Sequence, residues 1–162
     1  MGILLLKEQL LLLKFGALKK QFDVEFNKCW CEFIQNCDKD MSKAKQLNIG
    51  NHTRPFLVYL GVTTNCNFDD LSILADTAQL AVSIEAIHKA SVIIDDIIDG
   101  DSLRRGEKCM HYEFGEYETI FFAVCMLSLG IQRINNILSL KGIKSLHTNI
   151  INLVCDTIYN MC

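Results

Sequence analysis

The segment from Leu71 to Asp99 constrains the fold most strongly, because its 29 residues are apolar almost all round and include neither glycine nor proline. A segment of this length and pattern predicts a long helix that is buried on most of its surface. Its carboxyl end carries Asp95, Asp96 and Asp99. We therefore expect a helical core in which one central helix brings three carboxylates to the edge of the core.

The other apolar segments also have helical spacing, and none alternates in the manner of a strand. They are residues 3–35, a helix beginning at Pro55, and residues 117–140 and 143–161. The polar residues 36–51 and 61–70 are predicted to connect these helices, and residues 100–115 to form a loop. The pattern predicts a single all-α domain over residues 1–162, folded as a helical bundle.

Composition and charge argue against several classes of protein. The net charge of −3 and the lack of a Lys/Arg-rich stripe argue against nucleic-acid binding. The eight cysteines include no CxxC pair, which favours free thiols in a reducing compartment. Lys7 and Glu8 divide the apolar amino terminus into pieces too short for a signal peptide or a membrane span. We therefore expect a cytoplasmic protein without a transmembrane segment.

The acidic end of the central helix lies within IIDDIIDGDSLRRG, residues 93–106. Carboxylates this close repel one another, and the dipole at a helix carboxyl terminus opposes negative charge. Mg²⁺ would offset both effects, since it binds carboxylate oxygens and leaves positions for substrate phosphates. The alternative is an acidic helix end that lies in water and pairs with neighbouring Lys and Arg. The adjacent Arg104 and Arg105 favour a diphosphate site, because guanidinium groups bind phosphate oxygens in a bidentate manner.

Helical spacing adds His88 to this candidate site. Residues four and seven apart lie on nearly the same face of a helix, so His88, Asp95 and Asp99 align. Asp96 lies about 100° round the helix and remains close enough to share a ligand. Asp101 follows the helix and is interpreted as a solvated loop residue.

Residues 85–115, EAIHKASVIIDDIIDGDSLRRGEKCMHYEFG, closely resemble the first aspartate-rich region of the trans-isoprenyl diphosphate synthases. The agreement covers the histidine, the Ala-Ser pair, DDxxD, RRG and the later Phe-Gly. GNHTRP, residues 50–55, resembles the family's glycine-lysine-x-x-arginine-proline segment. The resemblance implies the N-terminal half of an isoprenoid synthase helical bundle, with antiparallel helices around a central cavity.

The resemblance also implies a reaction. Isopentenyl diphosphate would be condensed with an allylic diphosphate in a Mg²⁺-dependent step, giving a geranylgeranyl-type (C20) or other all-trans prenyl diphosphate. Asp95, Asp96 and Asp99 match positions that hold Mg²⁺ and act in catalysis. Arg104 matches a catalytic position that binds the allylic diphosphate. A homodimer, or pairing with another synthase chain, is a family expectation.

Further positions match residues that bind the substrates. Arg54, His88 and Arg105 correspond to positions that bind isopentenyl diphosphate. Ala90 and Ser91 lie five and four residues before the first aspartate, at positions that face the growing prenyl tail. Because both side chains are small, the resemblance implies a geranylgeranyl-type or longer product.

Three departures from the family pattern leave other functions open. Asn51 stands where the family has a lysine, the helix after Gly115 lacks the usual Gly-Asp pair, and the 162 residues contain no second DDxxD. We expect the second aspartate-rich motif to lie beyond Cys162. The alternatives are a catalytically impaired or regulatory synthase-like subunit, and a class I terpene cyclase, which shares the helical fold and DDxxD.

Overall fold

A computed structural model of the protein describes residues 2–38, 43, 47, 52–63, 71–140 and 144–161, with side chains within 16–38, 43, 47, 52–62, 75–139 and 148–160. The helices are α1 (Gly2–Cys37), α2 (Thr53–Thr63), α3 (Leu71–Ile98), α4 (Met110–Phe114), α5 (Glu116–Leu140) and α6 (Lys144–Met161). Two short strands, β1 (Leu103–Arg104) and β2 (Glu107–Lys108), lie between α3 and α4. The predicted all-α fold is confirmed, and the ends of the five predicted helices agree with the structure within three residues.

Helix α3 lies at the centre of the bundle and packs against α1, α2, α5 and α6. Four of its alanines are completely buried: Ala78, Ala81, Ala86 and Ala90. Small side chains at these positions let neighbouring helices approach closely. The last turns of α3 emerge from the core, where Asp95 and Ile98 are exposed.

Aromatic side chains join α1 to α2. Phe22, Phe26 and Trp30 lie four residues apart on one face of α1, and all three are buried. The ring of Phe22 packs against two rings of α2, with centroids 5.3 Å from Phe56 and 5.2 Å from Tyr59. Because α2 also packs against α3, this contact fixes the first turns of α2 beside the central helix.

A hairpin formed by β1 and β2 follows α3. The strands are antiparallel, and Arg104 lies opposite Glu107. Arg105 and Gly106 form the turn, with φ angles of 55° and 86°. Positive φ at both central residues is typical of the type I′ turn, whose twist suits a hairpin. The prediction of a plain loop over residues 100–115 is corrected here, because the segment contains this hairpin and helix α4. Strands of two residues and a helix of five are too short to show a periodic pattern.

Gly130 of α5 allows a close approach to α3. A Cβ atom on Gly130 would lie 3.0 Å from Cγ1 of Ile87 and 3.1 Å from the carbonyl oxygen of Ser83. We expect Gly130→Ala to lower the free energy of unfolding by about 1–3 kcal/mol, because the backbone of α3 would have to move. Gly16→Ala in α1, where the added methyl group meets nothing within 4 Å, should instead raise it by about 0.5–1 kcal/mol. Urea denaturation checks the contrast, and a Gly130→Ala variant as stable as wild type would contradict this packing.

By length and composition, one described helix is long and apolar enough to cross a membrane, at Glu116–Ser139. This segment is most of α5, which packs along α3. A core helix of a soluble protein meets the same criterion, so the finding is weak evidence for a membrane span. The expectation of no transmembrane segment stays a prediction.

Candidate functional site

A cavity of about 330 Å³ opens where the last turns of α3 meet the first turn of α2 and the β1–β2 hairpin. Among the described residues, its wall carries more positive than negative side chains. The cations are Arg54, Lys89, Arg104, Arg105 and Lys108. The carboxylates are Glu85, Asp96 and Glu107. A concave surface with an excess of positive charge is suited to a polyanionic ligand.

The cavity brings together side chains that the sequence predicted to bind substrates or act in catalysis. These are Arg54, His88, Asp96, Arg104 and Arg105. They come from α2, from α3 and from the hairpin, which are separate segments of the chain. Four other predicted residues are not among those that line the cavity: Ala90, Ser91, Asp95 and Asp99.

Asp96 and Arg104 form an ion pair in the cavity wall. Arg104 Nε donates a hydrogen bond to Asp96 Oδ1 over 2.7 Å. The Asp96 side chain is 7% exposed, whereas that of Arg104 is 38% exposed. Burial raises the pKa of Asp96, and the positive charge of Arg104 opposes that shift. The hairpin therefore supplies a cation to a buried carboxylate and leaves part of the guanidinium group open to solvent.

Asp95 and Asp99 lie on the exposed side of the helix end. The Asp95 carboxylate is 63% exposed, and its Oδ2 lies 3.8 Å from Nη2 of Arg104. Asp99 is also exposed, and its backbone N–H donates to the carbonyl oxygen of Asp95 over 2.9 Å, one helical turn away. The three aspartates thus have different surroundings, since only Asp96 is buried. Their sharing of one metal cluster stays a prediction.

The carboxylates at the end of α3 fit a Mg²⁺ ion that the substrate completes. Asp95 and Asp99 offer hard oxygen ligands one turn apart and open to solvent. Mg²⁺ sites commonly use one or two carboxylates, with waters and substrate phosphates in the other positions. In the part of the chain that the structure describes, no three His, Cys, Asp or Glu side chains are grouped closely enough to hold a metal. The donor set therefore suits an ion shared with a diphosphate better than a closed protein cage.

His88 is half-buried in the cavity wall. Burial lowers the pKa of its imidazole, and the positive charge of Arg54 lowers it further. The imidazole is therefore neutral near pH 7 and can donate one hydrogen bond to a ligand.

The lowered pKa of His88 predicts a pH dependence of stability. In the unfolded chain His88 takes up a proton near its ordinary pKa of about 6.5, but the folded chain takes it up only at lower pH. As the pH falls through this window the unfolded state binds more protons, so the free energy of unfolding decreases. His88→Gln should therefore lose less stability than wild type on going from about pH 7 to about pH 5.5. Urea denaturation across this range measures the difference, and identical profiles would contradict the burial of His88.

Ala90 and Ser91 lie on α3 outside the cavity wall. Ala90 is completely buried in the helical core. Ser91 is half-buried, and its Oγ donates a hydrogen bond to the carbonyl oxygen of His88 over 2.8 Å. The role of these small residues beside a prenyl tail stays a prediction.

Sequence reasoning missed a buried ion pair in the cavity wall. Lys89 Nζ lies 3.8 Å from Glu85 Oε1, and the two side chains are 14% and 7% exposed. Burial raises the pKa of Glu85 and lowers the pKa of Lys89, and each residue opposes the shift of the other. The signal was present in the sequence, because a Glu and a Lys four residues apart lie on the same helix face.

A model of the polyprenyl synthetase family matches residues 38–162 of this chain. The chain therefore belongs to the polyprenyl synthetase family, and the family predicted from the aspartate-rich region is confirmed.

Similar proteins include several prenyl diphosphate synthases. The geranylgeranyl diphosphate synthase of Pantoea ananas is 43% identical over 51 residues, which are 30% of this chain and 17% of that protein. Solanesyl diphosphate synthase 1, chloroplastic, of Arabidopsis thaliana is 32% identical over 96 residues, which are 59% of this chain and 24% of that protein. The short chain isoprenyl diphosphate synthase of Methanothermobacter thermautotrophicus is 51% identical over 41 residues, which are 25% of this chain and 13% of that protein. The chain thus aligns with at most 24% of the length of these three relatives.

A solved structure shares the fold. It is the apo crystal structure of an FPP/GFPP synthase from Zymomonas mobilis, with a TM-score of 0.56 and 20% sequence identity. The match covers 74% of this chain and 45% of that chain. At this identity the likeness shows the fold alone, and the predicted isoprenoid synthase bundle is confirmed.

Proposed function

We propose that this chain carries the first diphosphate-binding half of a trans-prenyltransferase active site. The enzyme would condense isopentenyl diphosphate with an allylic diphosphate. Its product would be a geranylgeranyl-type (C20) or other all-trans prenyl diphosphate, as part of isoprenoid biosynthesis. The cavity carries this proposal, because its wall combines three segments of the chain and has more cations than carboxylates among the described residues. Two substrates that each bring a diphosphate need such a surface.

The allylic diphosphate would bind at the carboxyl end of α3. Arg104 lies beside Asp95 and Asp96 there, and its planar guanidinium group suits bidentate binding of phosphate oxygens. Mg²⁺ held by Asp95, Asp96 and Asp99 would stabilise the negative charge that develops on the leaving pyrophosphate. Arg104 would stabilise the same charge directly, so it has a catalytic as well as a binding role.

Isopentenyl diphosphate would bind to Arg54, His88 and Arg105, which line the same cavity. Arg54 lies in the first turn of α2, where the helix dipole and the N–H groups of that turn favour an anion. Neutral His88 would donate one hydrogen bond to a phosphate oxygen. Arg105, in the turn of the hairpin, lines the same cavity and supplies a second guanidinium group.

Apolar residues of the cavity suit the carbocation that the reaction would generate. Val92, Ile93 and Met110 line the cavity together with the charged groups. Ionisation of an allylic diphosphate leaves a cation that water captures readily, so an apolar wall next to the charged end favours attack by the double bond of isopentenyl diphosphate.

The resemblance to the family supports two further properties of the proposed enzyme, and the cysteines support a third. Small residues at Ala90 and Ser91 leave room for a C20 or longer product. The enzyme would form a homodimer or pair with another synthase chain. It would act in the cytoplasm, in keeping with cysteines that form no CxxC pair.

Identification of the products tests the proposed reaction. The chain is incubated with Mg²⁺, labelled isopentenyl diphosphate and, in separate reactions, dimethylallyl, geranyl and farnesyl diphosphate. A labelled all-trans prenyl diphosphate supports the proposal. A cyclic hydrocarbon formed from an allylic substrate alone would indicate a class I terpene cyclase instead. No turnover, together with an altered product from an added full-length synthase, would indicate a regulatory subunit.

A further inference from the structure

We propose that Lys89 is an additional diphosphate-binding residue of the cavity, specific for isopentenyl diphosphate, and that Glu85 is the residue that positions it. The inference rests on the proposed function, since it adds a ligand for one of that site's two substrates. The family pattern quoted above, with its histidine, aspartates and arginines, assigns no role to either residue.

The surroundings of Lys89 point to a ligand. Its side chain lines the cavity and is 14% exposed, and its Nζ lies 3.8 Å from Oε1 of Glu85, whose side chain is 7% exposed. Removing an ammonium group and a carboxylate from water is costly, and their mutual attraction offsets only part of that cost. Such a pair is therefore weak evidence for a stabilising contact. A buried lysine in the wall of an anion-binding cavity has a clearer use in binding phosphate oxygens.

The neighbouring charges identify which diphosphate Lys89 would bind. The positive charge of Arg105 lowers the pKa of both Glu85 and Lys89, and the positive charge of Arg54 lowers the pKa of Glu85. Asp96 lies seven residues further along α3, a distance of about 10 Å along the helix axis. Lys89 therefore belongs with Arg54 and Arg105, the proposed isopentenyl diphosphate residues, and lies apart from the carboxylate end.

Asn51 stands where the family has a lysine, so the site lacks one cation of the family pattern. Lys89 would supply a cation to the same site. Glu85 helps to keep Lys89 charged, since it opposes the lowering of the Lys89 pKa by burial. An ammonium group has three donors, so Lys89 can bind a phosphate oxygen and Glu85 at the same time. Glu85 would thus orient the ammonium group of Lys89 and leave some of its N–H donors for the phosphate oxygens.

Calorimetric titration of two ligands into the full chain tests this role. Lys89→Met should weaken the binding of isopentenyl diphosphate without Mg²⁺ by roughly tenfold to a hundredfold, the effect of one charge-assisted hydrogen bond. The binding of geranyl diphosphate with Mg²⁺ should change by less than about twofold in the same variant, because the sites are distinct. A purely structural lysine would weaken both ligands alike. The charge-matched control Lys20→Met, which changes an exposed residue of α1, should bind both ligands as wild type does.

A second variant shows whether any loss of binding in Lys89→Met is due to unfolding. Lys89→Met leaves the carboxylate of Glu85 buried without its lysine, whereas Glu85→Gln combined with Lys89→Met removes both charges. The double variant, verified as folded by circular dichroism, should show the same selective loss. Unchanged affinity for isopentenyl diphosphate, or an equal loss for both ligands, would overturn the role of Lys89 and leave the proposed function standing. A wild-type chain that binds neither diphosphate would overturn the proposed function and this inference with it.

Discussion

Replacing Asp95 and Asp99 together by asparagine is expected to lower the rate of prenyl transfer by at least about a thousandfold. Both carboxylates are exposed at the end of α3, where a metal ion completed by a diphosphate can reach them. Asparagine keeps the size of the side chain but loses the charge that Mg²⁺ binding requires. The rate of incorporation of labelled isopentenyl diphosphate at saturating Mg²⁺ measures the effect.

The same double variant is expected to be more stable than wild type. It removes two negative charges from a helix carboxyl terminus, where the helix dipole disfavours each of them by about 0.3–1 kcal/mol. The exposed ion pair of Asp95 with Arg104 at 3.8 Å is lost too, but it offsets only part of this gain. Thermal unfolding in EDTA measures this gain. Asp101→Asn is the matched control, because Asp101 is exposed in the same segment and has no predicted role. Full activity in the double variant, or an equal loss of activity in Asp101→Asn, would contradict the assignment of Asp95 and Asp99.

Removing Arg104 is expected to lower both the stability of the folded chain and its affinity for substrate. Arg104→Met takes the guanidinium group from Asp96, whose side chain is only 7% exposed. An unpaired buried carboxylate is costly, but Arg104 is itself partly exposed, so we expect the free energy of unfolding to fall by about 1–3 kcal/mol. The affinity for geranyl diphosphate with Mg²⁺ should fall by roughly tenfold to a hundredfold. Urea denaturation and calorimetric titration measure the two effects.

A second substitution separates these two effects of Arg104. Asp96→Asn in the Arg104→Met background removes the unpaired charge, so most of the lost stability should return. The affinity should stay low, because the guanidinium group that binds the diphosphate is still missing and one of the proposed Mg²⁺ ligands, Asp96, is lost as well. A double variant that recovers both stability and affinity would mean that Arg104 acts only through Asp96, and would refute its direct role in binding.

The positions of all the described helices except the short α4 could be predicted, because the spacing of apolar residues is a local property of the sequence. The apolar segment from Leu71 to Asp99 forms α3 almost to the residue. The hairpin could not be predicted in this way. Its strands have two residues each, and its turn places Arg105, a residue with no turn preference, at a positive φ of 55°. The fold of this segment depends on how it packs over the end of α3.

In the candidate site, too, the local sequence pattern predicted which residues lie there, but not the features that depend on tertiary contacts. The spacing of the aspartates and arginines pointed to the cavity and placed Asp95 and Asp96 on different sides of the helix, but it could not tell which of the two is buried. Arg104, from a strand eight residues further along the chain, lies near both carboxylates but donates its short hydrogen bond to Asp96. The burial of Lys89 with Glu85 was hidden for a similar reason, because it depends on the packing of other elements around α3.

The most direct test of the proposed site is whether it binds a diphosphate and whether a metal ion strengthens that binding. Inorganic pyrophosphate is titrated calorimetrically into the full wild-type chain with Mg²⁺ and with EDTA, and into an Arg54→Met/Arg104→Met/Arg105→Met variant with Mg²⁺. We predict binding by the wild-type chain with Mg²⁺, and an affinity at least about tenfold lower both in EDTA and in the triple variant. Binding that is equally strong under all three conditions, or no binding by the wild-type chain, would contradict the assignment of the cavity as a diphosphate site.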